Sequence, residues 1–178
     1  LLNKISNKDR IIASTGFNSR ELYQLRKENK IKSGKDFYLV GGMGHTGILT
    51  LGYSLRNKKK NIICLDGDGS FLMHMGSMVT IGKYAKKNYK YILLNNLAHE
   101  SVGGQKTLIE TLNLKKFSKA IGFKNYIKIN KKDNIEKKLF FFLKKDGPSF
   151  LEVKIKCESM NNLIRPENFD KILNQFIK

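Results

Sequence analysis

The sequence lacks tryptophan and has only two cysteines, two prolines and five arginines. Cys64 and Cys157 show no spacing typical of a disulfide framework or a cysteine metal site, so a reducing cytoplasm is the expected location. No apolar run approaches the roughly 18 residues of a membrane span, and the first ten residues lack a signal-peptide core. We therefore expect neither a disulfide-stapled domain nor a membrane-spanning segment within these 178 residues.

Acidic residues are also scarce, with 15 Asp and Glu against 34 Lys and Arg and a formal net charge of +19. Such a balance makes a non-enzymatic, basic nucleic-acid-binding module an alternative of a different class. However, the excess is almost all lysine, dispersed in short runs. Arginine, the better fork for bases and phosphates, is rare. The charge is therefore interpreted mainly as a compositional bias of one globular domain.

The central stretch of the chain, residues 61–105, predicts a strand, a loop, a helix and a second strand. Apolar runs at 62–65 and 91–94 are short enough for buried strands. The helix between them is expected to start after Ser70 and to carry apolar residues at three- and four-residue steps: Phe71, Met75, Met78 and Ile81. Polar residues follow both strands, at the ends where parallel sheets hold ligands.

The loop Asp66-Gly67-Asp68-Gly69-Ser70 has the chemistry of a phosphate and metal site. Gly67 and Gly69 permit a tight turn and close approach of a ligand. Ser70 is predicted to cap the next helix, where an anion such as phosphate is favoured. Asp68 would repel that phosphate unless a cation lay between them. Mg²⁺ fits this position, with the side-chain oxygen of Asn96 as a second ligand.

A Gly-Asp-Gly sequence followed, after 25 positions, by Asn-Asn resembles the metal–diphosphate motif of thiamine diphosphate enzymes. Either half alone is a weak signal, since Gly-Asp-Gly is a common turn and Asn is abundant here. The combination is specific. The resemblance implies thiamine diphosphate and Mg²⁺ as cofactors, with Asp68, Asn96 and the Ala98 carbonyl as metal ligands.

The following loop, AHESVGGQ at 98–105, resembles phosphonopyruvate decarboxylases and, close to them, sulfopyruvate decarboxylases. The likeness extends from Thr15-Gly16 through the glycine-rich segment 41–45 to Gln105. It implies decarboxylation of a 2-oxo acid, with 3-phosphonopyruvate giving phosphonoacetaldehyde and CO₂. Sulfopyruvate, as in a sulfopyruvate decarboxylase beta subunit, or another 2-oxo acid is the alternative substrate.

The same resemblance assigns the glycine-rich segment to the aminopyrimidine ring of the cofactor. The Gly41 carbonyl would accept a hydrogen bond from the 4′-amino group, and the Met43 N–H would donate to a ring nitrogen. The Met43 side chain would lie between the two rings. His45 is a candidate for substrate binding or proton handling, and an ordinary exposed loop histidine is an equal alternative.

Further candidates lie in loops near the predicted metal. His99 and Glu100 are candidate catalytic groups, although Glu100 also fits a solvated loop acid. Backbone N–H groups around Ser101 would reach the diphosphate. Arg20 and Gln105 are candidates for substrate binding, with Arg20 facing an anionic group.

The rest of the chain alternates predicted strands and helices, which indicates α/β architecture with a doubly wound parallel sheet in a single domain, 1–178. Expected strands are 10–14, 37–40, 126–129 and 149–155; expected helices are 19 to about 30, 46–56, 114–121, 134–144 capped by Asp133, and a closing segment 165–176.

The family activates its cofactor with a glutamate on a pyrimidine-binding domain, and this chain matches only the diphosphate-binding half. We therefore expect a partner: a pyrimidine-binding domain or an alpha subunit, in a homo- or hetero-oligomer. The chain would be a separate subunit or the carboxyl-terminal half of a longer enzyme, and the non-Met start favours the second. Alone, it should have little activity.

Overall fold

The computed structural model describes residues 1–6, 8–28 and 36–177. Its centre is a six-stranded sheet in the order β2-β1-β3-β4-β6-β5, and every neighbouring pair is parallel. The strands are β1 Arg10–Ala13, β2 Phe37–Tyr38, β3 Ile62–Gly67, β4 Tyr89–Asn95, β5 Asn125–Ile129 and β6 Ser149–Lys154. The predicted doubly wound parallel sheet is confirmed.

The described residues form the following α-helices around this sheet: α1 Phe17–Glu28, α2 Thr46–Arg56, α3 Asp68–Met73, α4 Ser77–Tyr84, α5 Leu114–Ala120, α6 Ile135–Lys144 and α7 Phe169–Ile177. Short 3-10 helices occupy Glu100–Val102 and Ile109–Thr111. Along 1–6, 8–28 and 36–177, none of the helices is both long and apolar enough to cross a membrane.

The two larger apolar clusters of the described residues form because successive side chains of a strand point to opposite faces. In β4, Ile92 joins the core beneath α1 and α6, whereas Tyr91 and Leu93 join the core beneath α2, α4 and α5. Strand β4 is buried on both faces, which explains the apolar run at 91–94 within it. The sheet is therefore a fixed platform for the loops at its carboxyl edge.

The predicted long helix after Ser70 is wrong in two respects. Helix α3 already begins at Asp68 with Gly67 as its N-cap, so Ser70 lies inside the first turn and does not cap it. The helix also ends at Met73, because Ser77 donates from both its N–H and its hydroxyl to the His74 carbonyl, at 2.9 and 2.8 Å. This turn separates α3 from α4 while keeping the apolar spacing.

Smaller differences occur at other helix ends. Asn134, not Asp133, caps α6, because its side-chain oxygen accepts from the Lys137 N–H at 2.9 Å. Asp133 instead accepts from the Asn130 N–H at 2.6 Å. Helix α1 starts two residues before Ser19, and its expected end near Lys30 lies outside the described residues. Strand β2 ends at Tyr38 rather than residue 40.

Candidate functional site

A cleft lies at the carboxyl ends of β1, β3 and β4. These strands flank the point where the chain reverses its direction of winding, since β2 lies on one side of β1 and β3 on the other. Open parallel sheets bind ligands at such points. Most of the predicted site residues line the cleft: Met43, Gly67, Asp68, Gly69, Ser70, Asn96, Ala98, His99, Glu100 and Ser101.

Asp68 is buried at the start of α3, with 2% of its surface exposed. The Thr107 hydroxyl donates to its Oδ2 at 2.5 Å. Burial raises the pKa of the Asp68 carboxyl, although the Thr107 hydrogen bond opposes the shift. A bound cation would favour the ionised form in the same way. Thr107 was not predicted, because it lies 39 residues from Asp68 and only a fold brings them together.

Asn96 is fixed from both ends of its side-chain amide. Its oxygen accepts from the Ala98 N–H at 3.1 Å, and its nitrogen donates to Glu100 Oε2 at 2.6 Å. Glu100 thus orients the amide and is more than a solvated loop acid.

An antiparallel bridge between Ala98 and Lys106 closes the loop. Its two hydrogen bonds run from the Thr107 N–H to the Leu97 carbonyl, at 2.9 Å, and from the His99 N–H to the Gln105 carbonyl, at 2.8 Å. The Ala98 carbonyl takes no part in them, so the bridge leaves this oxygen available.

The expected donor set fits Mg²⁺ in its chemistry. A carboxylate, an amide oxygen and a backbone carbonyl are hard oxygen donors. In β3 and β4, Gly67 lies opposite Leu94, so Asp68 and Asn96 follow neighbouring strand ends. Within the described part of the chain, no three His, Cys, Asp or Glu side chains gather into a metal-binding group. Three protein oxygen donors would leave positions of an octahedral Mg²⁺ for phosphate oxygens and water.

Two contacts connect the glycine-rich segment and the loop to α3. The Gly44 N–H donates to the Ser70 hydroxyl at 2.9 Å. The imidazole of His99 lies so close to Gly69 that an added Cβ would be 2.3 Å from its Nδ1. A side chain at position 69 would therefore displace the His99 ring from this position.

Asp66 was not among the predicted site residues, yet it is 1% exposed at the end of β3. The Tyr91 hydroxyl donates to it at 2.6 Å and the Gly67 N–H at 3.0 Å. Burial raises the pKa of the Asp66 carboxyl, and these hydrogen bonds oppose the shift. It fixes the turn that presents Asp68.

The cleft is also acidic beyond Asp68 and Glu100, because Glu21 of α1 and Glu158 after β6 line it. Cys157 is exposed beside them, and its thiol donates to the Asn96 carbonyl at 3.2 Å. Desolvation, followed by the negative charges of Glu100 and Asp68, raises the pKa of this thiol.

Four predicted site residues do not line the cleft. His45 is exposed and lies against His74, with ring centroids 4.0 Å apart and ring planes tilted by 47°. Gln105 is exposed. Gly41 is also exposed and outside the cleft lining, and its backbone φ is 74°. Arg20 lines a neighbouring pocket instead, and its guanidinium donates to the Leu163 carbonyl.

Residues 14–153 match the family described as thiamine pyrophosphate enzyme, C-terminal TPP binding domain. The chain belongs to this family, which defines it as a thiamine diphosphate-binding domain. The prediction of thiamine diphosphate as the cofactor is thereby confirmed.

Among its relatives, the phosphonopyruvate decarboxylase of Streptomyces viridochromogenes is 33% identical over 167 residues, covering 94% of this chain and 41% of the relative. The sulfopyruvate decarboxylase subunit beta of Methanothermobacter thermautotrophicus is 32% identical over 168 residues, covering 94% of this chain and 85% of the relative. The chain thus spans about two fifths of the length of the first relative. The predicted resemblance to these two groups is confirmed.

A solved 2-oxoglutarate:ferredoxin oxidoreductase from Magnetococcus marinus has the same fold, with a TM-score of 0.66 and 17% identity, over 93% of this chain and 60% of that one. A thiamin diphosphate-dependent enzyme described as putative, from Mycobacterium smegmatis, gives 0.64 and 18%, over 88% and 30%.

Proposed function

We propose that this chain is the diphosphate-binding part of a Mg²⁺- and thiamine diphosphate-dependent decarboxylase that acts on 3-phosphonopyruvate and releases CO₂ and phosphonoacetaldehyde. The observation that carries the proposal is the buried Asp68, held by Thr107 at the strand end next to Asn96. The identity to phosphonopyruvate decarboxylases supports the substrate class.

Sulfopyruvate is the second candidate substrate. The relative described as a sulfopyruvate decarboxylase beta subunit is covered over 85% of its length, compared with 41% for the phosphonopyruvate enzyme. The name of this relative supports an arrangement of separate subunits for this candidate. Parallel assays with the two substrates distinguish the candidates by their kcat/KM.

The chain's own residues would bind and orient the cofactor. Asp68, Asn96 and the Ala98 carbonyl would hold Mg²⁺ against the diphosphate. Further cofactor contacts are assigned to the backbone of three segments. These are Gly41 and Met43 in the glycine-rich segment, Gly67, Gly69 and Ser70 where β3 meets α3, and Ser101 in the loop 98–105. When bound, thiamine diphosphate supplies the electron sink for cleavage of the carboxyl carbon bond.

Glu100 and His99 are assigned different roles near the reacting atoms. Glu100 would hold the Asn96 amide so that its oxygen faces the ion. His99 lines the cleft over the start of α3 and would transfer a proton to or from the substrate. His45 is exposed, so a proton-handling role for it would require substrate or a partner chain to reach that surface. The Gln105 side chain is exposed, so Gln105 would contribute only through its backbone carbonyl, which accepts from the His99 N–H and closes the loop.

A partner is part of the proposal. A pyrimidine-binding domain or alpha subunit would cover the cleft and supply the glutamate that activates the cofactor. Relatives described as beta subunits support a subunit arrangement.

The test is Mg²⁺-dependent binding of thiamine diphosphate to the complete enzyme, measured by calorimetry. Asp68→Asn removes the charge and keeps the side-chain shape, so we expect affinity to fall by at least about 10-fold. Asp170→Asn, at an exposed position of α7, is the matched control and should bind normally. The rate at which a thiol reagent modifies Cys157 gives an independent readout, because bound cofactor should slow it.

Equal affinity in the Asp68→Asn and Asp170→Asn variants would contradict the proposed metal site. Absence of cofactor binding in the unmodified enzyme, together with a steep salt-dependent affinity for nucleic acid, would favour the basic binding module instead.

A further inference from the structure

A second pocket adjoins the cofactor cleft. It has a volume of about 410 Å³, within the range of ligand pockets. The two cavities share part of their lining, namely Thr15, Phe17, Met43, Ser101 and Val102. A molecule in this pocket would therefore contact a cofactor in the cleft along the edge formed by Met43 and Ser101.

The two cavities carry opposite charge. The charged residues that line the cleft are all acidic: Glu21, Asp68, Glu100 and Glu158. The charged residues that line the second pocket are two arginines, Arg20 and Arg165, and its described lining includes no carboxylate. In a chain with only five arginines, two of them face one pocket. The cleft thus favours a cation and the pocket favours an anion.

The arginines are held in place by contacts between α1 and the segment after β6. Arg20 donates to the Leu163 carbonyl. Four residues along α1, the Gln24 side-chain oxygen accepts from the Ile164 N–H at 3.2 Å. Leu163 and Ile164 directly precede Arg165, so these bonds fix the position of the Arg165 backbone relative to Arg20.

Arg20 also has an unsatisfied donor. Its Nε is buried and has no hydrogen-bond partner within 1–6, 8–28 and 36–177. Two like charges in one pocket repel each other, and an anion between them would relieve the repulsion. A tetrahedral oxyanion offers several acceptors to two guanidinium groups, which donate in fixed planar forks.

Much of the remaining lining is apolar, beside hydroxyl groups at Thr15, Ser19 and Ser101. The apolar part includes Leu39, Val40, Pro166 and Phe169, with Val40 65% and Phe169 47% exposed. Such apolar surface suits a short carbon chain between the reacting carbonyl and a charged end.

We propose that Arg20 and Arg165 form the subsite for the anionic end of the substrate, a phosphonate or sulfonate, and select 2-oxo acids with such a group over pyruvate. This assignment rests on the proposed function and adds to it Arg165, which the sequence did not single out. Two guanidinium groups favour the doubly charged phosphonate over the singly charged sulfonate.

The first experiment measures binding of a probe that does not react, 3-phosphonopropionate, to the complete enzyme by calorimetry. Arg165→Ala should weaken probe binding about 10-fold, the value of one charge-assisted hydrogen-bonded contact. Arg56→Ala removes the same charge from an exposed position at the end of α2 and should stay within about twofold. Equal probe affinity in the two variants, or no probe binding in the unmodified enzyme, would overturn the assignment.

The second experiment measures turnover of three substrates. Arg165→Ala should raise KM for 3-phosphonopyruvate and sulfopyruvate about 10-fold and leave KM for pyruvate and the affinity for thiamine diphosphate unchanged. An equal change for pyruvate, or a loss of cofactor affinity, would contradict a subsite for the anionic end.

The two experiments separate this assignment from the proposed reaction. If the enzyme fails to bind thiamine diphosphate yet loses probe affinity on Arg165→Ala, the subsite stands and the proposed function fails. If cofactor binding depends on Asp68 but probe affinity does not depend on Arg165, the proposed function stands and the subsite fails.

Discussion

The Asp68 carboxylate accepts a hydrogen bond from a hydroxyl that the sequence does not mark. The 2.5 Å contact from Thr107 holds one carboxylate oxygen, while Thr107 itself is 2% exposed. Residues that orient a metal ligand without touching the metal affect affinity strongly. Thr107 is therefore a positioning residue for the proposed Mg²⁺ site.

Thr107→Val keeps the side-chain volume and removes the hydroxyl. We expect Mg²⁺-dependent cofactor affinity to fall about 10- to 100-fold, because the Asp68 carboxylate loses its fixed orientation. Titration of the complete enzyme with Mg²⁺ at saturating thiamine diphosphate measures this loss.

Thr111→Val is the matched control, since its exposed hydroxyl donates only to the nearby Leu108 carbonyl. Thr107→Ser should restore most of the affinity, which a purely packing role would not explain. If Thr107→Val and Thr111→Val bind Mg²⁺ equally well, Thr107 does not position the ligand.

At the residue scale, the sequence predicted the groups that carry a motif. Asp68 and Asn96 were predicted from the polar residues that follow two strands, the family resemblance added Ala98, and all three line one cleft. Thr107 and Arg165 lie outside any motif, and long-range packing brings them to the site. Asp66 directly precedes Gly-Asp-Gly in the chain, but the sequence did not reveal its burial or its hydrogen bond from Tyr91. Such contacts leave no periodic trace in a sequence.

At the scale of elements, α4 and the end of α5 approach each other through glycine. A Cβ on Gly82 would lie 1.8 Å from the Ile121 carbonyl oxygen, and Gly122 has a φ of 111°. No side chain fits between the two backbones at Gly82. This contact fixes α5 against the core that contains Met78 and Ile81.

Gly82→Ala should lower the free energy of unfolding by about 2 kcal/mol, because the helices must separate to admit a methyl group. Gly52→Ala is the matched control in the interior of α2, where an added Cβ meets nothing within 4 Å. It should raise stability by about 0.5 to 1 kcal/mol through helix propensity. Denaturant unfolding measures both, and equal effects would contradict the close approach.

Element prediction was best where local patterns decide the structure. Helix α2 has the predicted bounds, and β4 and β6 lie where apolar runs indicated strands. The break between α3 and α4 was missed because the apolar spacing continues through it. Only the hydrogen bonds from Ser77 to the His74 carbonyl end the helix.

At the scale of the molecule, the chain presents a half-open site. Val40, Val102 and Phe169 line the second pocket yet are 65%, 56% and 47% exposed. Apolar side chains around a ligand site are surfaces that a partner domain can cover. This arrangement supports the proposed pyrimidine-binding partner.

We therefore expect the 178-residue chain alone to give no more than background decarboxylation of 3-phosphonopyruvate, and addition of the pyrimidine-binding chain or domain to restore turnover. Release of CO₂, assayed with and without the partner at saturating Mg²⁺ and thiamine diphosphate, checks this. Full turnover by the isolated chain would disprove the need for a partner.

The hydrogen bonds of Leu163 and Ile164 to α1 have an evolutionary consequence. In the connection between β6 and α7, Leu163 and Ile164 are thus bound to α1, and Arg165 follows directly after them. A deletion, insertion or exchange just after Ile164 would redirect Arg165 while leaving the metal ligands at the sheet edge untouched. New substrate preferences would then arise in one short connection, and an ancestral cofactor site would be inherited without alteration.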